Sequence, residues 1–176
     1  VEILARASVR YLVCSADLAA QIRGERAESL SRVVVLDMPR NEAEGREIAW
    51  NEFLSSSDAV SDALFREREA RVNGDTVSDI MFTSGTTGRP KGAVFTHRSG
   101  VAAGRIMQHY NGATEADCFC PMGSFAHVGG YKMGWVTGLC SGATVAWGDA
   151  YDPASVLELI SGLGITIMPA APITWM

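Results

Sequence analysis

Residues 83–92 combine four hydroxyl side chains, three glycines and a lysine directly behind the apolar run Ile80-Met81-Phe82. Glycines let successive backbone N–H groups converge on an anion, hydroxyls donate to phosphate oxygens, and a lysine supplies positive charge. An ordinary polar turn between strands is the competing interpretation, but such a turn does not require four hydroxyl groups together with a lysine. The segment therefore predicts a phosphate-binding loop. Its predicted phosphate-binding residues are Thr83, Ser84, Gly85, Thr86, Thr87, Gly88 and Lys91.

This loop departs from the Walker A pattern G-x-x-x-x-G-K-[ST] at two positions. Counted from Gly85, Lys91 falls at the lysine of that pattern, but Pro90 replaces its second glycine and Gly92 replaces its Ser or Thr. Proline offers no N–H to a phosphate, and strand-like residues follow where a helix would begin. We therefore expect the loop to join two strands and to lie over the phosphates as a flexible lid.

A second motif lies at residues 121–130, which read P-M-G-S-F-A-H-V-G-G. Together, the segment from Phe82 to Gly92 and this block resemble two motifs of the acyl-adenylate-forming (AMP-binding) superfamily. That superfamily includes acyl-CoA ligases, luciferases and the adenylation domains of peptide synthetases. His127 follows Pro121 at a longer spacing along the chain than is usual in that superfamily. The H-V-G-G core and the G-Y-K-M-G that follows it most resemble an acyl-CoA synthetase or fatty-acid–CoA ligase.

The resemblance implies an AMP-forming acyl-CoA ligase that uses ATP, Mg²⁺ and coenzyme A. A carboxylate oxygen attacks the α-phosphorus of ATP to give an acyl-adenylate and pyrophosphate, and the CoA thiol then displaces AMP. The carboxylate and the phosphate are both anions and must approach each other. Catalysis therefore depends on neutralising their charge and on aligning the two reacting groups. In this scheme the hydroxyls of the loop hold the β- and γ-phosphates, and Lys91 is catalytic.

His127 is the second catalytic residue that the resemblance implies. A lone histidine in an apolar setting is more often structural, but the motif places it beside the substrate carboxylate or adenylate. By rotating, it would open the path of the thiol. Gly129 and Gly130 would leave space for an acyl chain. General-base catalysis is not needed, because a carboxylate is already ionised near neutral pH.

Composition narrows the class of partner. Fifteen Lys and Arg against twenty Asp and Glu give a net charge of −5, which argues against nucleic acid. No apolar run is long enough to span a bilayer. The four cysteines lack zinc-site spacing, so we predict buried free thiols in the cytoplasm and no metal site formed by this chain. The oligomeric state is left open, with a homo-oligomer as one option.

The predicted fold class is α/β, a layered, mostly parallel sheet flanked by helices, because strand-length apolar runs alternate with amphipathic helical segments. The predicted strands are residues 11–14, 33–36, 79–83, 93–96, 117–120, 144–147 and 166–168. The predicted helices are residues 16–22, 47–54, 99–110, 131–139 and 153–163. The helix at 131–139 is expected to be buried, and the last helix to face the core with Val156, Leu157, Ile160 and Leu163. Residues 41–71 are expected to form a surface segment without a site.

The resemblance further implies that residues 1–176 are part of an N-terminal AMP-binding domain. Family members also carry an adenine-binding strand, a Mg²⁺ ligand, a ribose-binding Asp and a C-terminal domain with a catalytic lysine. None of these has a counterpart here, so we expect the C-terminal domain to be absent from these residues and the segment alone to be inactive.

Two alternatives stay open. An adenylation domain of a peptide synthetase would need an acidic residue to hold the amine of its amino acid, and none lies between Pro121 and Thr144. That absence favours a fatty or other hydrophobic acid. A non-catalytic nucleotide-binding module is the alternative from another class, and the intact hydroxyls and Lys91 argue against it.

Overall fold

The computed structural model describes residues 2–25, 27–83, 88–148 and 152–170. The chain divides into two units, the first made of Val1–Val72 with Phe82–Gly92 and the second of Asn73–Met81 with Ala93–Met176. Two paired strands, β4 (Val77–Thr83) and β5 (Lys91–Thr96), carry the chain between the units. These are the strands predicted to flank the phosphate-binding loop.

The first unit contains a parallel three-stranded sheet with β2 at its centre. Its strands are β1 (Tyr11–Cys14), β2 (Arg32–Val35) and β3 (Glu47–Ala49). Its helices are α1 (Glu2–Arg6), α2 (Ala16–Ile22), α3 (Trp50–Ser55) and α4 (Asp62–Glu69). Short 3-10 turns lie at Arg40–Glu42 and Ser56–Ala59. The core groups Cys14, Ala19, Leu30, Val33 and Val35, so α2 packs on the sheet and the predicted β-α-β unit is confirmed.

The predicted helix over residues 47–54 is wrong in its first half. Glu47–Ala49 instead pairs in parallel with β2, and the helix begins only at Trp50. The backbone groups on the open edge of β2 need partners, and this segment supplies them. Arg23 holds Glu47 in place through two hydrogen bonds of 2.8 and 2.9 Å. Residues 41–71 therefore add a strand to the sheet instead of forming only a surface segment.

The second unit holds a smaller parallel sheet, β6 (Cys118–Phe119) with β7 (Thr144–Val145). Ile167 adds a single parallel bridge to Phe119, so the strand predicted at 166–168 is reduced to one bridge. Phe119 is fully buried. The helical segments of this unit are α5 (His97–Asn111), α6 (Val128–Gly130), a wide π-type turn (Tyr131–Val136), α7 (Thr137–Ser141) and α8 (Pro153–Leu163).

Helix α5 begins and ends on recognisable sequence signals. Thr96 and Ser99 form a reciprocal capping box at its start, and Gly112 ends it with φ of 63°. With 15 residues it is the longest helix in the part of the chain described, and no helix there is both long and apolar enough to cross a membrane. It packs closely on the π-type turn, since a Cβ on Gly104 would lie 2.9 Å from Val136 Cγ1.

Two expectations about buried helices need correction. In the helix predicted at 131–139, Met133 and Leu139 are exposed, and Lys132 is buried. In α8, Leu157 and Leu163 face solvent, whereas Val156 and Ile160 are half-buried. Periodicity identifies an apolar face, but it does not tell whether another element covers that face. The N-cap at Asp152 and the end of α8 at Gly164, with φ of 62°, are as predicted.

Candidate active site

The base of the predicted phosphate-binding loop is held by its two strands. Thr83 ends β4, Lys91 begins β5, and Thr83 Oγ1 donates to the carbonyl of Lys91 at 3.5 Å. Both residues are exposed. Among the residues described, Lys91 forms no ion pair, so its ammonium is available to an anion. Ser84, Gly85, Thr86 and Thr87 lie outside the described residues.

Gly88 has the backbone geometry expected of a loop that closes on a ligand. Its φ is 77°, a region that L side chains rarely adopt, and a Cβ there would meet nothing within 4 Å. The space beside this glycine is therefore open on the side where a side chain would stand. An exposed cation at Lys91 and an open, glycine-lined backbone fit a polyphosphate.

His127 is fixed at the start of the helical segment that follows β6. It is the N-cap of α6, and its Nδ1 accepts a hydrogen bond of 3.1 Å from the N–H of Gly129. A ring nitrogen that accepts carries no proton, so the proton of a neutral His127 lies on Nε2. The side chain is exposed, and the cap leaves Nε2–H as a donor for a ligand.

The turn before His127 depends on two glycines in close contact. A Cβ on Gly130 would lie 2.3 Å from the carbonyl oxygen of Gly123 and 2.4 Å from that of Ser124. These backbone atoms cannot be displaced cheaply, so the missing side chain of Gly130 is needed for packing of the turn. At Gly129 a Cβ would instead stand 3.4 Å from His127 Nδ1, an ordinary contact distance. An acyl-binding role for either glycine stays a prediction.

Four aromatic side chains form a cluster beside this turn, which we call the aromatic cluster. Its members are Phe125, Tyr131, Trp135 and Trp147. Ring centroids lie 5.0 to 5.6 Å apart, with Phe125 contacting the other three. Phe125 is 48% exposed and Trp147 is 37% exposed. Such flat apolar surface is typical of a ligand wall.

The aromatic cluster and His127 lie at the carboxyl ends of β6 and β7. Phe125 and His127 follow β6 along the chain, and Trp147 follows β7. Because the two strands run in parallel, their carboxyl ends share one edge of the sheet. Ligands of open α/β sheets bind at that edge.

Asp117, at the other end of β6, accepts hydrogen bonds from Thr166 and Thr114, which hold its pKa below the ordinary value.

One buried pair of charges escaped the sequence-based predictions. Lys132 Nζ donates to Asp79 Oδ2 at 2.6 Å, and Lys132 is only 3% exposed. Lys132 is the one Lys, Arg, Asp or Glu between Pro121 and Thr144. That lone charge in an apolar run was the available signal, but the sequence did not indicate its partner.

The predicted site residues divide between the two units. Thr83, Gly88 and Lys91 belong to the first unit, and His127, Gly129 and Gly130 to the second, where they lie in one turn. No group of three His, Cys, Asp or Glu side chains that could hold a metal ion is found in the described ranges.

All four cysteines are free, and burial raises the pKa of the Cys14 and Cys120 thiols. Cys118 and Cys140 are only half-buried, in contrast to the prediction.

Comparison with known proteins identifies the class. Residues 1–176 match the family model described as AMP-binding enzyme. The chain belongs to the AMP-binding enzyme family.

Several relatives are acyl-CoA ligases by name. The 3-[(3aS,4S,7aS)-7a-methyl-1,5-dioxo-octahydro-1H-inden-4-yl]propanoyl:CoA ligase of Rhodococcus jostii is 37% identical over 123 residues, covering 70% of this chain and 24% of that protein. The ligase of the same name from Mycobacterium tuberculosis is 34% identical over 161 residues, covering 92% and 31%. A long-chain-fatty-acid–CoA ligase of Thermus thermophilus is 31% identical over 121 residues, covering 67% and 22%. The chain spans less than a third of the length of these curated relatives.

Solved structures share the fold. An anthranilate CoA ligase in complex with anthranoyl-AMP superposes with a TM-score of 0.79 at 21% identity, covering 98% of this chain and 33% of that one. An acyl-CoA synthetase of Brucella canis gives a TM-score of 0.75 at 18% identity, covering 98% and 30%. The predicted α/β fold class is thereby confirmed.

Proposed function

We propose that residues 1–176 are part of the N-terminal domain of an AMP-forming acyl-CoA ligase, with the catalytic-lysine domain outside them. The observation that carries this proposal is the loop base at Thr83, Gly88 and Lys91 in a chain that matches the AMP-binding family along its whole length. An exposed lysine beside an open glycine backbone suits the polyphosphate of ATP. The ligase names of the relatives agree with this choice.

The reaction has two steps that share one bound adenylate. A carboxylate oxygen of the acid forms a bond to the α-phosphorus of ATP, and the bond from that phosphorus to pyrophosphate breaks. The sulfur of coenzyme A then attacks the acyl carbon, the C–O bond to AMP breaks, and the thiol proton passes to solvent. During the first step Lys91 would neutralise charge on the phosphates. The hydroxyls of Thr83, Ser84, Thr86 and Thr87 would donate hydrogen bonds to them.

Mg²⁺ would be held chiefly by the phosphates of ATP. The described residues offer no group of three acidic, His or Cys ligands, and Mg²⁺ commonly binds through substrate phosphates with few protein ligands. When bound, the ion would neutralise charge on the leaving pyrophosphate. Lys91 and the loop hydroxyls would contact the same phosphates from the protein side.

His127 would place a hydrogen-bond donor at the acid. Its Nδ1 is occupied by the N–H of Gly129, so Nε2–H is the atom left to donate to the substrate carboxylate or the adenylate. Rotation of the ring to admit a thiol would break the cap to Gly129. The cap favours the orientation in which Nδ1 accepts from Gly129, by about 1 kcal/mol for a typical hydrogen bond.

The acid is proposed to be a fatty or other hydrophobic one. The partly exposed aromatic cluster offers flat apolar surface near His127 in the chain, and no carboxylate lies between Pro121 and Thr144 to hold an amine. The Rhodococcus and Mycobacterium relatives are named for a fused-ring propanoate. A ring-bearing acid is therefore the first substrate to try.

The free thiols are consistent with action in the reducing cytoplasm, which we propose as the location. Coenzyme A and the carboxylic acid are the proposed partners. A homo-oligomer stays a prediction, and sedimentation of the full-length protein would decide it.

Pyrophosphate exchange by the full-length protein tests the proposed function. The protein is incubated with ATP, Mg²⁺, labelled pyrophosphate and a panel of fatty, aryl, fused-ring and amino acids. Exchange that depends on a hydrophobic acid, followed by thioester formation with coenzyme A, is the expected result. Exchange driven by amino acids would instead indicate an adenylation domain of a peptide synthetase. ATP binding without exchange for any acid would indicate a non-catalytic nucleotide-binding module.

A further inference from the structure

The buried ion pair between Lys132 and Asp79 is not explained by stability alone. Their side chains are 4% and 17% exposed, and their charged atoms lie 2.6 Å apart. Removing two charges from water costs about as much as their attraction returns, so a well-packed apolar pair would stabilise a protein equally or better. A lysine is rarely buried at all. The pair therefore calls for a reason other than folding.

The carboxylate of Asp79 is also incompletely satisfied. Lys132 Nζ and Ser78 Oγ both donate to Oδ2, at 2.6 and 2.5 Å. Oδ1 is buried and accepts no hydrogen bond from any residue that the structure describes. A buried oxygen without a partner destabilises a fold. Its retention again favours a role in function over a role in stability.

Side chains from three elements surround the Lys132 ammonium, and a fourth element, α5, leaves room for it. Asp79 approaches from β4, and the Phe95 ring of β5 has its centroid 5.4 Å from Nζ. The Tyr131 ring, from the same turn as Lys132, lies 4.3 Å away. On α5, Gly100 leaves the room that the ammonium occupies, because a Cβ there would stand 3.0 Å from Nζ. The ammonium thus lies where β4, β5, α5 and the π-type turn meet.

The pair joins two segments that carry site residues. Asp79 lies on β4, the strand that ends at Thr83 where the phosphate-binding loop begins. Lys132 lies on the π-type turn that follows α6, whose N-cap is His127. Each partner is thus close in the chain to a predicted site residue, Asp79 four positions before Thr83 and Lys132 five positions after His127.

We propose that Lys132, through its ion pair with Asp79, is a positioning residue that sets residues 77–81 of β4 against the helical segment led by His127. This inference rests on the proposed ligase function. Adenylation needs a carboxylate oxygen and the α-phosphorus aligned at short range, and alignment contributes a large share of such rate enhancements. Loosening the pair lets each substrate bind but lowers the fraction of complexes that react.

The decisive variants change both partners at once. Lys132→Met or Asp79→Leu alone leaves one buried charge without its partner, so each single variant is expected to unfold at a lower temperature. The double variant, Lys132→Met with Asp79→Leu, removes both charges and replaces them with apolar side chains of similar length and branching. Its Tm in the full-length protein is expected to lie close to that of the wild type.

Kinetics then separate positioning from stability. In pyrophosphate exchange with the preferred acid, we expect kcat of the double variant to fall about ten-fold or more, with KM for ATP and for the acid within about two-fold of wild type. A purely structural pair predicts wild-type kcat once Tm is restored. Wild-type kcat in the double variant, or a loss confined to KM, overturns the inference.

Gly100→Ala provides a milder probe that leaves both charges in place. The added methyl group presses on Nζ but favours the helix, since alanine is a better helix former than glycine. A lower kcat with unchanged or higher Tm is expected. The matched control is the exposed pair Arg98–Asp75, which also joins α5 to the segment before β4. Arg98→Met with Asp75→Leu should leave kcat unchanged.

Hydrogen exchange gives a readout that needs no activity. Peptides covering β4 and residues 124–132 should exchange faster in the double variant than in wild type, while α8 is unchanged. Equal exchange in both proteins overturns the inference. A wild-type enzyme that exchanges no pyrophosphate with any acid refutes the proposed function instead, and amide exchange alone then decides whether the pair positions these segments.

Discussion

At the scale of single residues, the chain separates groups that would touch a ligand from groups that hold the structure. Lys91 and His127 are both exposed, and each lies at the start of an element, β5 and α6. Asp117 and Lys132 are held by hydrogen bonds within the protein. The first pair should affect catalysis and the second should affect the arrangement that supports it.

Replacing Lys91 by alanine should remove positive charge from the phosphates without disturbing the fold, because the side chain is exposed. We expect kcat/KM in pyrophosphate exchange by the full-length protein to fall about 10²- to 10³-fold, the range for losing one preorganised electrostatic contact. Arg89→Ala, another exposed cation in the same loop, is the control for net charge. If kcat/KM fell equally in the two variants, the position of the lost charge would not matter, and Lys91 would not be a catalytic residue.

Asp117 makes stability depend on pH. Hydrogen bonds from Thr166 and Thr114 lower its pKa in the folded state, so its contribution is present above the unfolded value of about 4 and is lost as pH falls through the folded one. Asp117→Asn should therefore lower the free energy of unfolding at pH 7 and lose this effect progressively below about pH 4. Urea titrations at both pH values measure the difference. Asp58→Asn is the control, and a difference for Asp117→Asn that persists unchanged at pH 3 would contradict the assignment.

At the scale of elements, glycines decide how closely the site's segments approach one another. The turn after β6 folds back onto α6 where Gly123 and Gly130 meet. Helix α5 approaches the π-type turn at Gly104, and α7 approaches β7 at Gly138, where a Cβ would lie 2.4 Å from Val145 Cγ2. The placement of His127 therefore depends on contacts that only a hydrogen side chain permits.

Gly130→Ala tests this close packing. Its methyl group would meet two backbone carbonyl oxygens at 2.3 and 2.4 Å, so we expect a loss of about 1–3 kcal/mol or more in the free energy of unfolding. Gly162→Ala, in α8 with nothing within 4 Å, is the matched control and should stabilise the protein by up to about 1 kcal/mol. Chemical denaturation of both variants gives the comparison. A neutral Gly130→Ala variant would mean that the turn is looser than described.

At the scale of the whole molecule, we propose that the chain is part of a ligase. It spans less than a third of the length of its curated relatives. Large apolar side chains such as Tyr110, Leu157 and Phe65 are more than half exposed. The residues proposed for the phosphates and the acid lie within the chain, and we propose that the residues that bind adenine and ribose lie outside it.

We accordingly predict that purified residues 1–176 form no acyl-adenylate and bind ATP weakly. Contacts with the phosphates replace hydrogen bonds that the phosphates already make with water, so these contacts alone add little binding free energy. Calorimetry with ATP and mass spectrometry of products check this. The full-length protein is the control in both measurements. Acyl-adenylate made by the 176 residues alone would falsify the prediction.

Sequence by itself determined the local features of this protein. It placed β1, α2, α5 and α8, the caps at Asp152 and Gly164, and the two motifs that indicate the AMP-binding family. These features depend on residues close together in the chain: a capping oxygen, a glycine with positive φ, or a run of hydroxyls ahead of a lysine. Such patterns can be recognised without knowing what packs against them.

Tertiary structure alone decided which distant residues meet. The strand at Glu47–Ala49 forms because β2 offers it an edge, whereas the sequence predicted a helix from residue 47. Lys132 and Asp79 are separated by 53 positions, and nothing local to either residue indicates the other. The exposed sides of α8 and of the 131–136 turn also depend on what covers them. Contacts between residues far apart in the sequence are decided by packing. Many side chains could pair with a given charge or cover a given apolar face, and only the fold determines which one does.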